Sequence, residues 1–125
     1  MQNDSNKKTI LVADDDEEIL SFISEFLNND GYNAVTVVNG LQAVEKVKER
    51  AFDLVMLDID MPIMNGIKAL QEIKKLRPEQ RVIMITAYHD AEDVVEALKI
   101  GALDCIFKPF DLKFLRNSIQ AQLVK

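Results

Sequence analysis

Five short apolar runs recur along the chain, separated by segments in which apolar residues repeat with a helical period. The runs are rich in β-branched side chains, which predicts strands at residues 10–13, 34–38, 54–57, 82–85 and 105–107. The segments between and after them predict five helices. Their apolar faces carry Ile19, Leu20, Phe22, Ile23, Phe26 and Leu27; Leu41, Val44 and Val47; Ile67, Leu70 and Ile73; Val94, Val95 and Leu98; and Leu112, Leu115, Ile119 and Leu123.

Polar residues and breakers mark the ends of these helices. Asp16, with Glu17 and Glu18 behind it, has the pattern of an N-cap followed by an acidic first turn that favours the helix dipole. The other predicted N-caps are Asn39, Asp90 and Asp111. The residues predicted to follow helix ends are Gly31, Pro78 and Gly101.

The regular alternation of strand and helix predicts an α/β fold with a parallel sheet covered on both faces. The runs ILVA, LVML and VIMI are continuously apolar, as central strands should be, whereas AVTVV and DCIF admit polar residues and suit edges. A flavodoxin-like (βα)5 doubly wound sheet with strand order 2-1-3-4-5 satisfies this pattern. It places a ligand-binding crevice at the carboxyl ends of strands one and three.

Composition limits the setting in which such a domain acts. The chain has 125 residues and a net charge of −6, which argues against nucleic-acid binding. Residues 1–8 are polar and aperiodic and are expected to form a flexible leader before a single domain at 9–125. Cys105 is the single cysteine, and neither a membrane-length apolar run nor a signal segment is evident. We expect a cytoplasmic protein.

Polar residues with complementary chemistry follow four of the predicted strands. Asp14 and Asp15 follow strand one, Asp58 follows strand three, Thr86 follows strand four and Lys108 follows strand five. Three carboxylates in one crevice repel one another and raise their pKa values unless a cation intervenes. Mg²⁺, which prefers oxygen ligands, is the expected occupant, with Mn²⁺ as a substitute. An Asp beside such an ion can act as a nucleophile toward a phosphoryl group.

The segments LVMLDIDMPIMNG, VADD, ITAY and FKPF resemble the receiver domain of the two-component response-regulator family, over residues 9–125. The resemblance implies that Asp58 is the phosphorylated residue. It also implies that Asp14, Asp15, Asp58 and the backbone carbonyl of Asp60 hold the metal. The segments NGLQAV, TAY and KPFD are similar to stand-alone receivers of sporulation-type phosphorelays. Whether the chain is complete or part of a longer regulator stays open.

The remaining site residues also take their roles from this resemblance. Thr86 would turn toward the phosphoryl oxygens, and the amide of Ala87 would approach them. Lys108 would offset their negative charge, and the Lys108–Pro109 peptide bond would be cis. The phosphoryl donor would be a histidine kinase or a histidine phosphotransfer protein. Phosphorylation would switch a surface formed by helix four, strand five and helix five.

As in the family, the chain would not be an enzyme beyond its own phosphorylation and dephosphorylation. It would act on an unidentified protein target, with phosphorylation-dependent dimerisation possible and no direct contact with nucleic acid or membrane. Two positions depart from the family pattern. Cys105 stands where an aromatic switch residue is usual, and it is expected to be a small buried strand residue. Asp60 and Tyr88 occupy positions that tune loss of the phosphoryl group, and His89 is expected to be a solvated loop residue.

Three other classes of protein fit the sequence less well. A flavodoxin would share the topology, but the acidic run after strand one would repel a flavin phosphate. A haloacid-dehalogenase-type phosphatase would use Asp58 and Asp60 as a D-x-D pair, although Pro62 stands where that family has Thr or Val. A degenerate receiver serving only as an interaction scaffold is disfavoured because all five site positions are filled.

Overall fold

The computed structural model describes residues 7–87 and 91–123. Within these residues, strands and helices alternate along the chain as the sequence pattern predicts. The five strands are β1 Thr9–Ala13, β2 Asn33–Val37, β3 Leu54–Asp58, β4 Val82–Thr86 and β5 Cys105–Phe107. The five helices are α1 Glu17–Asn29, α2 Gly40–Glu49, α3 Gly66–Leu76, α4 Ala91–Ile100 and α5 Leu112–Leu123.

The strands form one parallel sheet in the order β2-β1-β3-β4-β5. This confirms the predicted fold class and the predicted edge strands. Every residue of β1, β3 and β4 is buried, whereas β2 and β5 include partly buried and exposed residues. Apart from Thr9, Asp58 and Thr86 at their ends, the central strands are apolar, as expected where helices cover both faces of a sheet.

Two apolar clusters hold the helices on the sheet. On one face, α2, α3 and α4 pack through Val44, Val47, Leu70, Ile73 and Ala97. On the other face, α1 and α5 pack through Leu20, Ile23, Phe26, Leu27, Leu115, Ile119 and Leu123. Because all five strands run in the same direction, the loops that follow them meet at one edge of the sheet, called here the carboxyl edge.

Five residues predicted to lie on buried helix faces are instead exposed. They are Phe22, Leu41, Val95, Leu98 and Leu112. The difference is largest in α4, where only Ala97 is buried. Ala97 is buried in the core, whereas Val95 and Leu98 are 49% and 46% exposed.

The helix ends follow the predicted capping pattern. Asp16 and Asn39 cap α1 and α2, and Asp111 Oδ1 accepts hydrogen bonds from the amides of Lys113 and Phe114. Gly31 and Gly101 follow α1 and α4 with φ values of 93° and 134°. The predicted cap Asp90 and residues 1–6 of the predicted leader lie outside the described residues. Among residues 7–87 and 91–123, no helix combines the length and apolar character needed to cross a membrane.

Candidate functional site

Three carboxylates meet at the carboxyl edge of the sheet. Asp14 follows β1, and Asp58 ends the adjacent strand β3. Both are buried, whereas Asp15 is exposed. One carboxylate oxygen from each of the three lies within 4.8 Å of the others. They line a cleft of about 230 Å³ together with Asp16, Asp60, Thr86, Ala87 and Lys108. The structure therefore brings together every residue that the sequence predicted for the site.

Backbone amides orient the two buried carboxylates. The amide of Asp16 donates to Asp14 Oδ1 at 2.9 Å, and the amide of Asp60 donates to Asp58 Oδ1 at 3.3 Å. The amide of Asp14 donates to the carbonyl of Val37 at 3.2 Å, which fixes the end of β1 against β2. In each carboxylate one oxygen is held by the loop that follows its strand, and the second oxygen points into the cleft toward Lys108.

Lys108 supplies the positive charge of the site. Its Nζ atom lies 2.6 Å from Asp14 Oδ2 and 3.3 Å from Asp58 Oδ2. Its own amide donates to the carbonyl of Thr86 at 2.9 Å, and the Lys108–Pro109 peptide bond is cis, as predicted. Burial alone would lower the pKa of Lys108, but its hydrogen bonds and ion pairs with Asp14 and Asp58 raise the pKa above its ordinary value. Lys108 is therefore charged at neutral pH.

Asp58 is held in an environment that disfavours its negative charge. Burial is the largest cause, and repulsion from Asp14 is the next; together they raise the pKa of Asp58 from 3.8 to about 6. The charge of Lys108 and the hydrogen bond from the Asp60 amide oppose this rise. A carboxylate with this pKa is ionised at neutral pH but is stabilised by any added positive charge.

The site fits a hard divalent cation. Asp14 Oδ2 is fully buried and faces the Lys108 ammonium group at 2.6 Å. This single ammonium group lies between two buried carboxylates, so positive charge at the site does not balance the negative charge. Three converging carboxylates in an open cleft are a ligand set suited to Mg²⁺, which retains several waters. Asp14, Asp15 and Asp58 are thus the side chains that can hold the ion.

The other predicted residues surround these carboxylates. Thr86 ends β4 and is buried, while Ala87 is exposed at the mouth of the cleft. Cys105 is half-buried and packs at the margin of the core, so the prediction that it is simply buried is only partly correct. Tyr88 and His89 lie outside the described residues.

Sequence reasoning missed two features that shape the loop after β3. Asn65 caps α3 by accepting a hydrogen bond from the amide of Lys68, and the pair Asn65–Gly66 before an apolar period was the available signal. A Cβ atom on Gly66 would collide with the carbonyl oxygen of Asp58. Glycine at this position lets α3 begin against the backbone of the candidate phosphoacceptor.

Comparison with known proteins gives a consistent result. The family model of the response regulator receiver domain matches residues 10–120. The chain is 45% identical over 114 residues to the transcriptional regulatory protein ZraR of Escherichia coli O157:H7, covering 91% of this chain but 26% of ZraR. It thus spans about a quarter of the length of that relative. It is 37% identical over 114 residues to sporulation initiation phosphotransferase F of Bacillus subtilis (strain 168), covering 91% of this chain and 92% of the relative.

A solved structure extends the comparison to the metal. The receiver domain of the sensor histidine kinase PA1611 from Pseudomonas aeruginosa PAO1 was solved with a magnesium ion coordinated in its active-site cleft. It superposes with a TM-score of 0.88 at 26% identity, covering 95% of this chain and 99% of that one. Receiver domains bind a divalent metal at an acidic pocket and work as phosphoacceptor signalling modules that interact with histidine kinases and phosphotransfer proteins. This chain belongs to the response regulator receiver domain family.

Proposed function

We propose that Asp58 is the phosphoacceptor of this chain and that it receives the phosphoryl group of a phosphohistidine on a sensor kinase or phosphotransfer protein. The arrangement of Asp58, with one oxygen held by the Asp60 amide and the other 3.3 Å from Lys108 Nζ, carries the proposal. Asp58 lines the cleft at the carboxyl edge. The family membership supports the same assignment.

The transfer exchanges one bond to phosphorus for another. An oxygen of the Asp58 carboxylate attacks the phosphorus in line with the bond to the imidazole nitrogen of the donor. That P–N bond breaks, its electron pair stays on the imidazole nitrogen, and a proton from solvent completes the neutral imidazole. An acyl phosphate forms on Asp58. Positioning and charge stabilisation account for most of the acceleration in reactions of this kind.

Positive charge at the site lowers the barrier to this step. Lys108 already contacts both buried carboxylates, so its ammonium group is placed to pair with oxygens of the incoming phosphoryl group. A divalent ion bound by Asp14, Asp15 and Asp58 would supply further positive charge beside the same oxygens. We propose Mg²⁺, with the backbone carbonyl of Asp60 as an additional ligand; Mn²⁺ also suits oxygen ligands of this type.

The output of the domain is proposed to be a changed protein-binding surface. Thr86 and Ala87 line the cleft at the end of β4, where a phosphoryl group on Asp58 would attract the Thr86 hydroxyl and the Ala87 amide. The next element along the chain is α4, whose Val95 and Leu98 are exposed, and Phe107 of β5 is exposed as well. We propose that this surface receives the downstream protein or a second phosphorylated copy. We propose that the domain acts in the reducing cytoplasm.

Intact-mass spectrometry with acetyl phosphate tests the proposal. The wild-type chain with Mg²⁺ is expected to gain one phosphoryl group, and the gain should disappear with EDTA or with Asp58→Ala. Glu45→Ala, which removes an exposed carboxylate from α2, is the matched control and should still be labelled. Labelling of Asp58→Ala at the wild-type rate would refute the assignment. Release of phosphate without an accumulated adduct would instead favour the phosphatase alternative.

A further inference from the structure

The outer edge of β2 presents main-chain groups that no other strand of the described chain takes up. β2 ends the sheet and pairs with β1 alone. The amide of Asn33 donates to the residue before β1, and the carbonyl of Val37 accepts from the residue after it. Because successive residues of a strand alternate in direction, the amides and carbonyls of Ala34 and Thr36 point away from the sheet.

The chain covers only one end of this edge. The outward amide of Val38, just past β2, donates to Gln42 Oε1 at 2.9 Å. Within residues 7–87 and 91–123, no side chain accepts from the amides of Ala34 or Thr36. β2 contains neither proline nor a charged residue, which are common devices that keep an exposed edge from pairing. An added strand can therefore hydrogen-bond to β2 at Ala34 and Thr36.

A groove runs beside this edge, between β2 and α1. Its volume is about 600 Å³, and its lining includes Ser21, Ser24, Glu25, Asn28 and Thr36. Ala34 packs on the face of the sheet that α1 covers. Thr36, two residues further on, lies on the same face and is exposed. Small side chains on both walls leave room for the alternate side chains of an added strand.

Two carboxylates give the groove its charge. Glu17 and Glu25 both line it and are exposed, and among the described residues no lysine or arginine lines it. The two glutamates are eight residues apart on α1, which is about 12 Å along the helix axis. Residues i and i+4 of an extended chain are about 13 Å apart and lie on the same face. Basic side chains at two such positions of an added strand match the two glutamates.

A second copy of this chain does not complement the groove. Pairing two β2 edges would bring two acidic grooves side by side, in a chain whose net charge is −6. On the opposite face of β2, Val35 is only partly buried, and apolar side chains of an added strand would cover it. The complementary occupant therefore alternates apolar with polar residues and carries Lys or Arg on the polar side.

We propose that the β2 edge docks an extended segment of a partner protein, in which apolar residues alternate with polar ones and two polar positions, four apart, are Lys or Arg. The segment would extend the sheet beyond β2 and lay its basic side chains in the groove against α1. Main-chain hydrogen bonds supply the affinity, and the two glutamates select the segment. The docking surface uses neither the cleft at the carboxyl edge nor the α4 and β5 surface, so it does not depend on the assignment of Asp58.

The probe is the fluorescein-labelled heptapeptide Val-Lys-Val-Thr-Val-Lys-Val, and fluorescence anisotropy at fixed ionic strength measures its Kd. Thr36→Pro removes an outward amide, and an edge strand tolerates proline at such a position. The variant keeps the charge of the chain but should bind the probe at least about tenfold more weakly than the wild type. Glu25→Lys should weaken binding about threefold to tenfold. A peptide with Glu in place of both lysines should bind the wild type at least about tenfold more weakly.

Glu45→Lys is the matched control, since it reverses an exposed charge on α2 outside the groove. It should leave the Kd of the probe unchanged. The proposal is overturned if the wild type does not bind the probe or if Thr36→Pro binds it as tightly as the wild type does. It is also overturned if Glu45→Lys weakens binding as much as Glu25→Lys, because attraction to the net charge would then explain the binding.

Two further measurements separate the remaining outcomes. Circular dichroism checks that Thr36→Pro is folded; if it is not, the comparison of Glu25→Lys with Glu45→Lys decides alone. Sedimentation velocity measures whether the wild type associates with itself. A wild-type dimer that Thr36→Pro dissociates would overturn the proposal by assigning the β2 edge to a second copy of the chain.

Discussion

Lys108 Nζ lies closer to Asp14 Oδ2, at 2.6 Å, than to Asp58 Oδ2, at 3.3 Å. The lysine thus neutralises the proposed metal ligand at least as strongly as it does the proposed phosphoacceptor. A divalent ion that binds at this site has to share the Asp14 carboxylate with the Lys108 ammonium group, which already offsets the negative charge of Asp14. We therefore expect Lys108 to have two opposing effects, weakening metal binding while stabilising a phosphoryl group on Asp58.

Lys108→Ala is expected to bind Mg²⁺ about threefold to tenfold more tightly than the wild type, because a positive charge next to the carboxylates is removed. Isothermal titration calorimetry at fixed ionic strength measures this. The same variant should be labelled by acetyl phosphate far more slowly, since the phosphoryl oxygens lose their cationic partner.

Lys75→Ala controls for the general loss of a lysine, because Lys75 is exposed near the end of α3 and pairs with Glu72. It should change neither property. Weaker Mg²⁺ binding by Lys108→Ala would show that the lysine organises the carboxylates for the metal rather than competing with it.

Asp58→Asn is expected to stabilise the metal-free protein above pH 6. Folding raises the pKa of Asp58 from 3.8 to about 6, so the folded state binds more protons than the unfolded state between about pH 4 and pH 6. The free energy of unfolding therefore falls as the pH rises through this window. The destabilisation caused by the ionised Asp58 is complete above it. Removing the charge should add about 1 to 2 kcal/mol to the free energy of unfolding at pH 7.5.

Urea unfolding in EDTA at pH 7.5 and pH 4.5 checks both the size and the direction of this effect. The gain from Asp58→Asn should shrink toward zero at the lower pH. Asp111→Asn is the control, because Asn caps a helix as well as Asp does. A gain of equal size at both pH values would mean that packing, rather than charge, limits the stability of the wild type.

The fold could be predicted because the apolar pattern of each strand and helix is local, and because the rules for arranging strands in a parallel sheet are general. Continuous apolar runs separated the central strands from β2 and β5. Once the strand order was set, the carboxyl-edge rule placed Asp14 beside Asp58 although 43 residues separate them in sequence. No pairwise contact had to be known in advance to place these acids in one cleft.

Features that depend on detailed packing were not predictable in this way. The apolar period predicted that Phe22 and Val95 lie on buried helix faces, and both predictions were wrong. The period cannot show how wide an arc of each helix the sheet covers. The turn at Ile63 carried no sequence signal, since β-branched residues disfavour its conformation. The closer approach of Lys108 to Asp14 depends on sub-ångström differences that residue spacing does not encode.

Cys105 is expected to react slowly with alkylating reagents in the folded protein. Burial, and then the negative charge of Asp104, raise the pKa of its thiol above the ordinary value of 9.0. The reactive thiolate is therefore scarce at pH 8. Iodoacetamide labelling followed by mass spectrometry should be at least about tenfold slower in buffer than in concentrated urea. Equal rates in the two solvents would show that neither burial nor Asp104 protects the thiol.

Glycine at position 66 is expected to be required for the geometry of Asp58. A Cβ atom there would collide with the carbonyl of Asp58, which is backbone and cannot move aside without shifting the end of β3. Gly66→Ala should therefore cost about 2 to 3 kcal/mol of stability and weaken Mg²⁺ binding.

Gly31→Ala is the matched control, since its φ is 93° but a Cβ atom would meet nothing within 4 Å. It should cost about 1 to 2 kcal/mol through backbone strain alone and leave Mg²⁺ affinity unchanged. Equal Mg²⁺ affinities for the two variants would contradict the claim that the start of α3 positions Asp58.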